Sequence, residues 1–136
     1  MIEYRAEIPD QQQFFALFET TGWNLNYKAT RQELSHMLAN TWYMLAAYDG
    51  ERLVGFGRVV SDLVLHAMIF DMIVLPAYQG QSIGGEILGR LVDKCLQAGI
   101  RDIQLFCARG KRSFYENRGF VARPNDAPGM QYRRQM

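Results

Sequence analysis

A glycine-rich segment near the middle of the chain carries the residues whose types and spacing best suit chemistry. It spans Gln79–Gly85 and reads QGQSIGG. The apolar run 68–75 before it predicts a buried strand. The residues after it are apolar at helical spacing, which predicts an amphipathic helix. Unpaired N–H groups at the start of a helix, together with the positive end of its dipole, can bind phosphate, so the segment predicts an anion site.

The elements that must position this segment form a mixed sheet. Strands are expected at 2–5, 42–48, 53–60, 63–75 and 103–107, with two closing strands at 120–122 and 130–134. Helices are expected after the capping boxes that begin at Asp10 and Thr30, over about 84–98, and over 111–118.

The expected fold class is therefore α/β, with helices on both faces of a twisted sheet of about six to seven mostly antiparallel strands. One helix joins strands 63–75 and 103–107, so these two should be parallel, with a right-handed connection. A crevice at such a change of strand direction is where open sheets bind ligands. The length suits a single domain over residues 1–136.

Charge and composition narrow the classes of partner. The 15 Lys and Arg residues nearly balance the 14 Asp and Glu residues, which argues against a nucleic-acid or membrane-surface binder. No apolar run approaches roughly 18 residues and no secretory signal is visible. Cys95 and Cys107 are expected to be reduced, buried thiols. A cytoplasmic location is the expectation.

Two motifs resemble one known family. The run 74–84, VLPAYQGQSIG, resembles the signature segment of the GCN5-related N-acetyltransferases. The run 114–120, FYENRGF, resembles the second signature of that family, at a helix end. One helix and one strand separate the two motifs, as in the family, and the order of elements along the chain is similar too.

The resemblance implies that acetyl-CoA is the co-substrate and that its acetyl group moves to a primary amine of a small molecule or peptide. The pyrophosphate would lie on the loop amides, and the pantetheine arm would pair with the edge of the preceding strand, which splays from its parallel neighbour. An N–H near Val74 would face the thioester oxygen. The residues that the resemblance assigns to acetyl-CoA are Met72, Ile73, Val74, Gln79, Gly80, Gln81, Ser82, Ile83, Gly84 and Gly85.

This chain departs from the family pattern at Ser82, where the family usually has Gly. If the position needs left-handed backbone geometry, a non-Gly residue costs roughly 1–2 kcal/mol. Alternatively, the Ser82 hydroxyl supplies a further phosphate donor. A second departure is Ala108, where the family often has an Asn that contacts CoA; Arg109 and Lys111 are candidate replacements.

Tyr115, in the second motif, is the candidate acid. A phenol with an ordinary pKa of about 10 stays protonated at neutral pH and can donate a proton to the departing sulfur. The alternative is an aromatic side chain that only packs the helix onto the sheet. Trp23 and Tyr27 lie in the region that borders the acceptor site in the family, so they are candidate substrate residues; the alternative is that they cover the edge of the core.

Asp71 interrupts the apolar strand close to the expected thioester. Its carboxylate could accept the proton of the amine, directly or through water, or bind a cationic acceptor. The alternative is a structural ion pair with Arg58 of the neighbouring strand. His36 and His66 lack metal-ligand spacing with other candidates, so no metal site is expected, although His66 could serve as a base.

Two other functions fit parts of the pattern. A non-catalytic acetyl-CoA-binding sensor would keep the fold and the loop without the transfer. A phosphate-transfer enzyme would need a Lys-Ser/Thr pair at the end of the loop, and the sequence there is Gly84-Gly85-Glu86. An edge strand also offers a route to a homodimer, which the sequence leaves open.

Overall fold

A five-stranded sheet organises the first 105 residues of the chain. The computed structural model describes residues 1–134, which form two compact units, residues 1–105 and residues 106–134. The strands are β1 (Ile2–Arg5), β2 (Tyr43–Asp49), β3 (Arg52–Ser61), β4 (His66–Val74) and β5 (Asp102–Leu105). The helices are α1 (Gln11–Glu19), α2 (Asn24–Tyr27), α3 (Arg31–Ala39), α4 (Ile83–Gln97) and, in the second unit, α5 (Arg112–Glu116).

The strands lie in the order β1-β2-β3-β4-β5. Every neighbouring pair is antiparallel except β4 and β5, which are parallel. The structure thus confirms the predicted mixed α/β sheet with one parallel pair, with slightly fewer strands than expected. The Asp49-Gly50 turn joins β2 to β3, and Gly50 has the positive φ (62°) that such a turn requires.

The two predicted closing strands, 120–122 and 130–134, are wrong: the described residues contain no strand there. The N–H of Phe120 donates to the carbonyl of Tyr115 (3.1 Å), so it closes the end of α5 instead of joining a sheet. Pro124 and Pro128 between them have no N–H to donate. The apolar side chains that suggested strands are exposed, namely Val121, Met130 and Tyr132.

Local capping signals place the first helices. The Asp10 side chain accepts from the N–H of Gln13 at 3.0 Å, and Thr30 with Glu33 forms a complete capping box. The stretch expected as a loop between α1 and α3 instead contains the short helix α2. Among the helices that the structure describes, none is both long and apolar enough to cross a lipid bilayer.

The amphipathic helix α4 packs against β3 through its buried face, which consists of Ile83, Ile87, Leu88, Leu91 and Cys95. Gly57 permits this close approach. A Cβ at Gly57 would lie 2.7 Å from the Met72 Sδ, 2.9 Å from the Ile87 Cγ2 and 2.9 Å from the Leu91 Cδ1.

The two cysteines differ in exposure. Cys95 is buried as expected, because it lies on the inner face of α4. The expectation of a buried thiol at Cys107 is wrong, since this residue follows the end of β5 and is exposed. Both cysteines are free thiols.

Candidate functional site

A bulge interrupts β4 at Asp71. In the β3–β4 register Arg58 faces Phe70 and Phe56 faces Ile73, so both Asp71 and Met72 oppose the single Gly57. Asp71 has a φ of 56°, in the left-handed region. An extra residue on one strand with one residue out of extended geometry is the definition of a β-bulge, and bulges commonly redirect a strand beside a functional site.

The bulge changes which backbone groups of β4 point toward β3. Before it, the even-numbered residues bond to β3, as the bond from the Asp62 N–H to the His66 carbonyl shows (3.3 Å). After it, the odd-numbered residues do, since the Leu75 N–H donates to the Val54 carbonyl (2.9 Å). Because bonding alternates along an antiparallel pair, the N–H and C=O groups of Met72 and Val74 point to the opposite edge of β4.

That edge has no strand partner within residues 1–105. β5 pairs with β4 only from His66, opposite Asp102, to Ile69, opposite Leu105. The rest of β4 continues past the end of β5. A side chain occupies one group on this edge, because the Gln79 Nε2 donates to the Val74 carbonyl at 3.1 Å. This open edge (Met72 to Val74) can receive an extended chain that carries amide groups.

The loop after β4 presents a series of unpaired amides. Its first turn is closed by bonds from the Tyr78 N–H to the Leu75 carbonyl (2.8 Å) and from the Gln79 N–H to the Pro76 carbonyl (3.3 Å). Within residues 1–134, none of the six N–H groups from Gly80 to Gly85 donates to another group of the chain. They lie at the start of the 15-residue helix α4, where the helix dipole also favours an anion.

Ser82 takes left-handed geometry, with φ 66° and ψ 13°. The cost of roughly 1–2 kcal/mol that a non-Gly residue incurs there therefore applies. Although Ser82 is the N-cap residue of α4, its side chain makes no capping hydrogen bond. The hydroxyl is thus available to a ligand.

Two side-chain contacts support the loop. The Tyr78 hydroxyl donates to the Asp49 Oδ2 at 2.5 Å, which ties the first turn of the loop to the end of β2 and raises the pKa of Tyr78. Glu86 lies in the first turn of α4, and its Oε2 lies 2.6 Å from the Nε of Arg90, four residues further along the helix. This ion pair offsets the negative charge of Glu86 beside the unpaired amides.

Asp71 forms the ion pair with Arg58 that was one of its three expected roles. Its Oδ2 lies 2.6 Å from the Arg58 Nε, and the two side chains are only 16% and 13% exposed. The Arg58 Nη1 also donates to the Thr41 Oγ1 at 3.1 Å. The suggestion of a cation site rested on an unpaired carboxylate, and the guanidinium of Arg58 already neutralises it.

Trp23 is the N-cap residue of α2 and Tyr27 is its last residue, and the rings of both lie against Phe18 of α1. Their ring centroids lie 6.0 Å and 6.4 Å from that of Phe18. Trp23 is half-buried and packs against the hydrophobic core, whereas Tyr27 is 71% exposed. Trp23 therefore covers the edge of the core, as its alternative interpretation expected, and the ring of Tyr27 is accessible to a ligand.

Tyr115 lies on α5, in the unit formed by residues 106–134. Its ring packs edge-on against Phe114 and Phe120, with centroid distances of 5.0 Å and 5.9 Å. The side chain is 8% exposed. Burial raises the pKa of Tyr115, and the nearby Cys107 raises it further. The phenol therefore stays protonated throughout the neutral range.

Sequence reasoning did not find the bulge or the contacts around the loop. An Asp inside an apolar strand was a usable signal, because Asp and Asn are enriched among non-Gly residues with positive φ. The Gln79–Val74 and Tyr78–Asp49 bonds left no such signal. Across residues 1–134, no three His, Cys, Asp or Glu side chains come together as a group that could hold a metal ion.

Comparison with known proteins identifies the family. The family model of the acetyltransferase (GNAT) family matches residues 8–120. Histone acetyltransferase TAP1 from Glycine max is 33% identical over 85% of this chain and 53% of its own length. GCN5-related N-acetyltransferase 2 from Arabidopsis thaliana, a chloroplastic protein, is 40% identical over 60% of this chain and 34% of its own length. The chain thus spans about half or less of these relatives.

Solved structures show the same fold. A probable acetyltransferase of unknown function from methicillin-resistant Staphylococcus aureus superposes with a TM-score of 0.85 at 26% identity, covering 98% of this chain and 100% of that one. A GNAT family acetyltransferase from Streptococcus pneumoniae has a TM-score of 0.81 at 25% identity and full coverage of both chains. The two sequence motifs, the parallel pairing of β4 with β5 and these matches agree: the chain belongs to the acetyltransferase (GNAT) family.

Proposed function

We propose that this protein transfers the acetyl group of acetyl-CoA to a primary amine. The observation that carries the proposal is the run of six unpaired amides from Gly80 to Gly85 at the start of α4. The pyrophosphate of acetyl-CoA is an anion of the size and charge that several converging N–H groups at a helix N-terminus bind. The Ser82 hydroxyl adds one more donor.

The open edge of β4 supports the rest of the co-substrate. The pantetheine arm is an extended chain with two amide groups, so it can pair with Met72 and Val74 as a further strand would. An N–H at Val74 then faces the thioester oxygen. One positioned donor to a developing oxyanion is worth about 2.7–4 kcal/mol of transition-state stabilisation.

The reaction that we propose is a direct transfer. The neutral amine attacks the thioester carbonyl, the C–S bond breaks, and the amide forms as the amine nitrogen releases its proton to solvent water. Tyr115 donates its phenolic proton to the departing thiolate and takes a proton back from solvent before the next turnover. Burial raises the pKa of Tyr115, so the proton is present at neutral pH.

The acceptor that we propose is a primary amine of a small molecule or a peptide. The name of TAP1 specifies histones as a target, which supports a lysine side chain among the amines to test. One solved neighbour, glucosamine-6-phosphate N-acetyltransferase from Arabidopsis thaliana, is named for a small-molecule amine, although at 16% identity it shares only the fold with this chain. The exposed ring of Tyr27 is our candidate for the acceptor wall.

Binding and transfer are tested separately. Calorimetry with acetyl-CoA measures binding, and mass spectrometry of a panel of amines and lysine peptides measures acetylation without a thiol reagent that would react with the exposed Cys107. We expect binding at micromolar to millimolar concentration and acetylation of at least one amine. Binding without any acetylation would instead support the non-catalytic sensor.

Two substitutions of opposite charge at Gln81 test whether the loop binds the pyrophosphate. Gln81 is exposed and lies among the unpaired amides. Gln81→Glu should weaken acetyl-CoA binding by about 5- to 10-fold and Gln81→Lys should strengthen it, because one charge near a phosphate is worth roughly 1 kcal/mol in water. Both effects should shrink at high salt. Equal affinities for the two variants would exclude the loop as the pyrophosphate site.

A further inference from the structure

The backbone at Asp71 needs a residue type that accepts left-handed geometry. Its φ of 56° is rare for residues with a side chain, and Asp and Asn are among the few types that adopt it readily. The strain occurs at the residue that opposes Gly57 together with Met72, that is, at the bulge. A strained position of this kind persists only where surrounding contacts hold it.

Arg58 supplies those contacts. Its Nε lies 2.6 Å from the Asp71 Oδ2, and its Nη1 donates to the Thr41 Oγ1 at 3.1 Å. The Thr41 hydroxyl in turn donates to the Met37 carbonyl in α3 at 3.0 Å. The guanidinium also lies over the ring of Phe70, 5.4 Å from its centroid. Arg58 therefore ties the bulge of β4 to β3 and to the end of α3.

The bulge decides which amides reach the open edge. Without the extra residue, the alternation seen before Asp71 would continue, and Met72 and Val74 would bond to β3 instead of pointing away from it. A one-residue change of register also moves every following side chain to the other face of the sheet. Ile73 lies opposite Phe56 and belongs to the same buried cluster as Phe56 and Phe14, and this placement depends on the present register.

We propose that the Arg58–Asp71 ion pair holds the β4 bulge and so presents the amides of Met72 and Val74 to acetyl-CoA. Asp71 is then a positioning residue and not the base that accepts the proton of the amine. This inference rests on the proposed function for its kinetic consequences, but the backbone geometry that it assigns to the pair exists without any ligand.

A substitution series at Asp71 separates the two roles. Asn and Gly accept the left-handed backbone without the charge, whereas Val removes the charge and resists that backbone. Asn keeps an acceptor oxygen for the Arg58 Nε, so we expect the acetyl-CoA Kd of Asp71→Asn to stay within about 3-fold of the parent value. Gly and Val break the pair, so the Kd of Asp71→Gly should rise several-fold and that of Asp71→Val at least 10-fold. A parent-like Kd in Asp71→Gly would show that tolerance of the left-handed backbone, and not the pair, holds the bulge. The exposed Asp93→Asn on α4 is the matched control for loss of a carboxylate.

The kcat values of the same variants test whether Asp71 acts as a general base. Removal of a general base lowers kcat by about 10²–10⁴-fold whichever residue replaces it. We expect kcat to fall in the order Asn, Gly, Val, with the pH profile of Asp71→Asn keeping the shape of the parent profile. An equal collapse in all three variants, with loss of the acidic limb of the profile, would overturn the positioning role.

Arg58 is tested by rescue. Arg58→Met leaves the Asp71 carboxylate half-buried without a partner, and we expect a raised acetyl-CoA Kd together with a lowered melting temperature. Arg58→Met combined with Asp71→Asn removes that unpaired charge but still lacks the pair, so it should recover most of the melting temperature while the acetyl-CoA Kd stays raised. A double variant with the parent Kd would contradict the proposal, because the bulge would then form without the pair.

Backbone chemical shifts of residues 70–75, measured by NMR without ligand, keep this test independent of the proposed function. We expect the shifts of Asp71→Asn to report a positive φ at position 71 and those of Asp71→Val to depart from the parent pattern along β4. If the unmodified protein bound no acetyl-CoA, the proposed function would be wrong. The chemical shifts would still test whether the ion pair holds the bulge. Unchanged shifts in both Asp71→Val and Arg58→Met would overturn the inference.

Discussion

The side-chain amide of Gln79 donates to the carbonyl oxygen of Val74 across the first turn of the glycine-rich loop, at 3.1 Å. That carbonyl lies on the open edge of β4, where the proposed pantetheine arm would pair. Gln79 therefore makes, within the chain, the type of hydrogen bond that an amide of the arm would make in the complex. An amide of the arm would therefore compete with Gln79 for this acceptor.

Gln79→Ala should tighten acetyl-CoA binding. The bond that the ligand competes with is a neutral, exposed hydrogen bond, and such bonds contribute about 0.5–1.5 kcal/mol net. Its removal should lower the Kd by about 2- to 10-fold, measured by calorimetry. Gln97→Ala, an exposed glutamine at the end of α4, serves as the control. Weaker binding by Gln79→Ala would mean that Gln79 contacts the co-substrate itself.

Two substitutions at Ser82 separate backbone strain from the hydroxyl. Ser82→Gly removes both the strain and the hydroxyl, so we expect a more stable protein, with a melting temperature about 2–4 °C higher for each kcal/mol gained. Ser82→Ala keeps the left-handed strain and removes only the hydroxyl. Both should bind acetyl-CoA a few-fold more weakly if the hydroxyl donates to phosphate. A less stable Ser82→Gly protein would show that the strain is not relieved by Gly.

Gly57→Ala should destabilise the fold and disturb the open edge together. The new methyl group would lie within 3 Å of the Met72 side chain and of α4, and overpacking of this kind typically costs about 1–3 kcal/mol. Urea unfolding measures the loss. Gly89→Ala, on α4 with nothing within 4 Å of the added Cβ, should instead stabilise by about 0.5–1 kcal/mol. Equal stability of the two variants would contradict the close packing of α4 on β3.

Tyr115→Phe should lower kcat by about 10²-fold or more while the acetyl-CoA Kd changes little. The substitution removes the phenolic proton and keeps the ring that packs against Phe114 and Phe120. Steady-state kinetics and calorimetry on the same preparation give the two values. An unchanged kcat would remove Tyr115 from the mechanism and leave it as a packing residue.

The pH dependence of kcat follows from the direction of the pKa shift of Tyr115. An acid acts while it is protonated, and burial raises its pKa above the ordinary value of about 10. Deprotonation of Tyr115 should therefore cause no fall in kcat between pH 7 and about pH 9, and any fall that it causes should have its midpoint above pH 10. An alkaline fall with a midpoint below pH 10 that is absent from the residual activity of Tyr115→Phe would contradict this assignment.

Local patterns were enough to predict the part of the site that is continuous in sequence. Pro76 has no N–H to donate to a neighbouring strand and so favours the end of the strand before it, the three glycines of residues 80–85 favour a loop, and the apolar spacing of α4 specifies one buried face. Strand, loop and helix start therefore follow from neighbouring residues, and with them the amides of the candidate pyrophosphate site. The parallel pairing of β4 and β5 also follows, since a helix connects them.

The tertiary structure alone decided the contacts between residues distant in the chain. Three features depend on the register between strands: the Arg58–Asp71 pair, the Tyr78–Asp49 bond, and the switch at the bulge from even-numbered to odd-numbered residues of β4 bonding to β3. Register is a property of the assembled sheet. The prediction of two closing strands was wrong for the same reason. An alternating segment becomes a strand only when an edge pairs with it, and in residues 120–134 the prolines and the cap at Phe120 remove the donors that such pairing needs.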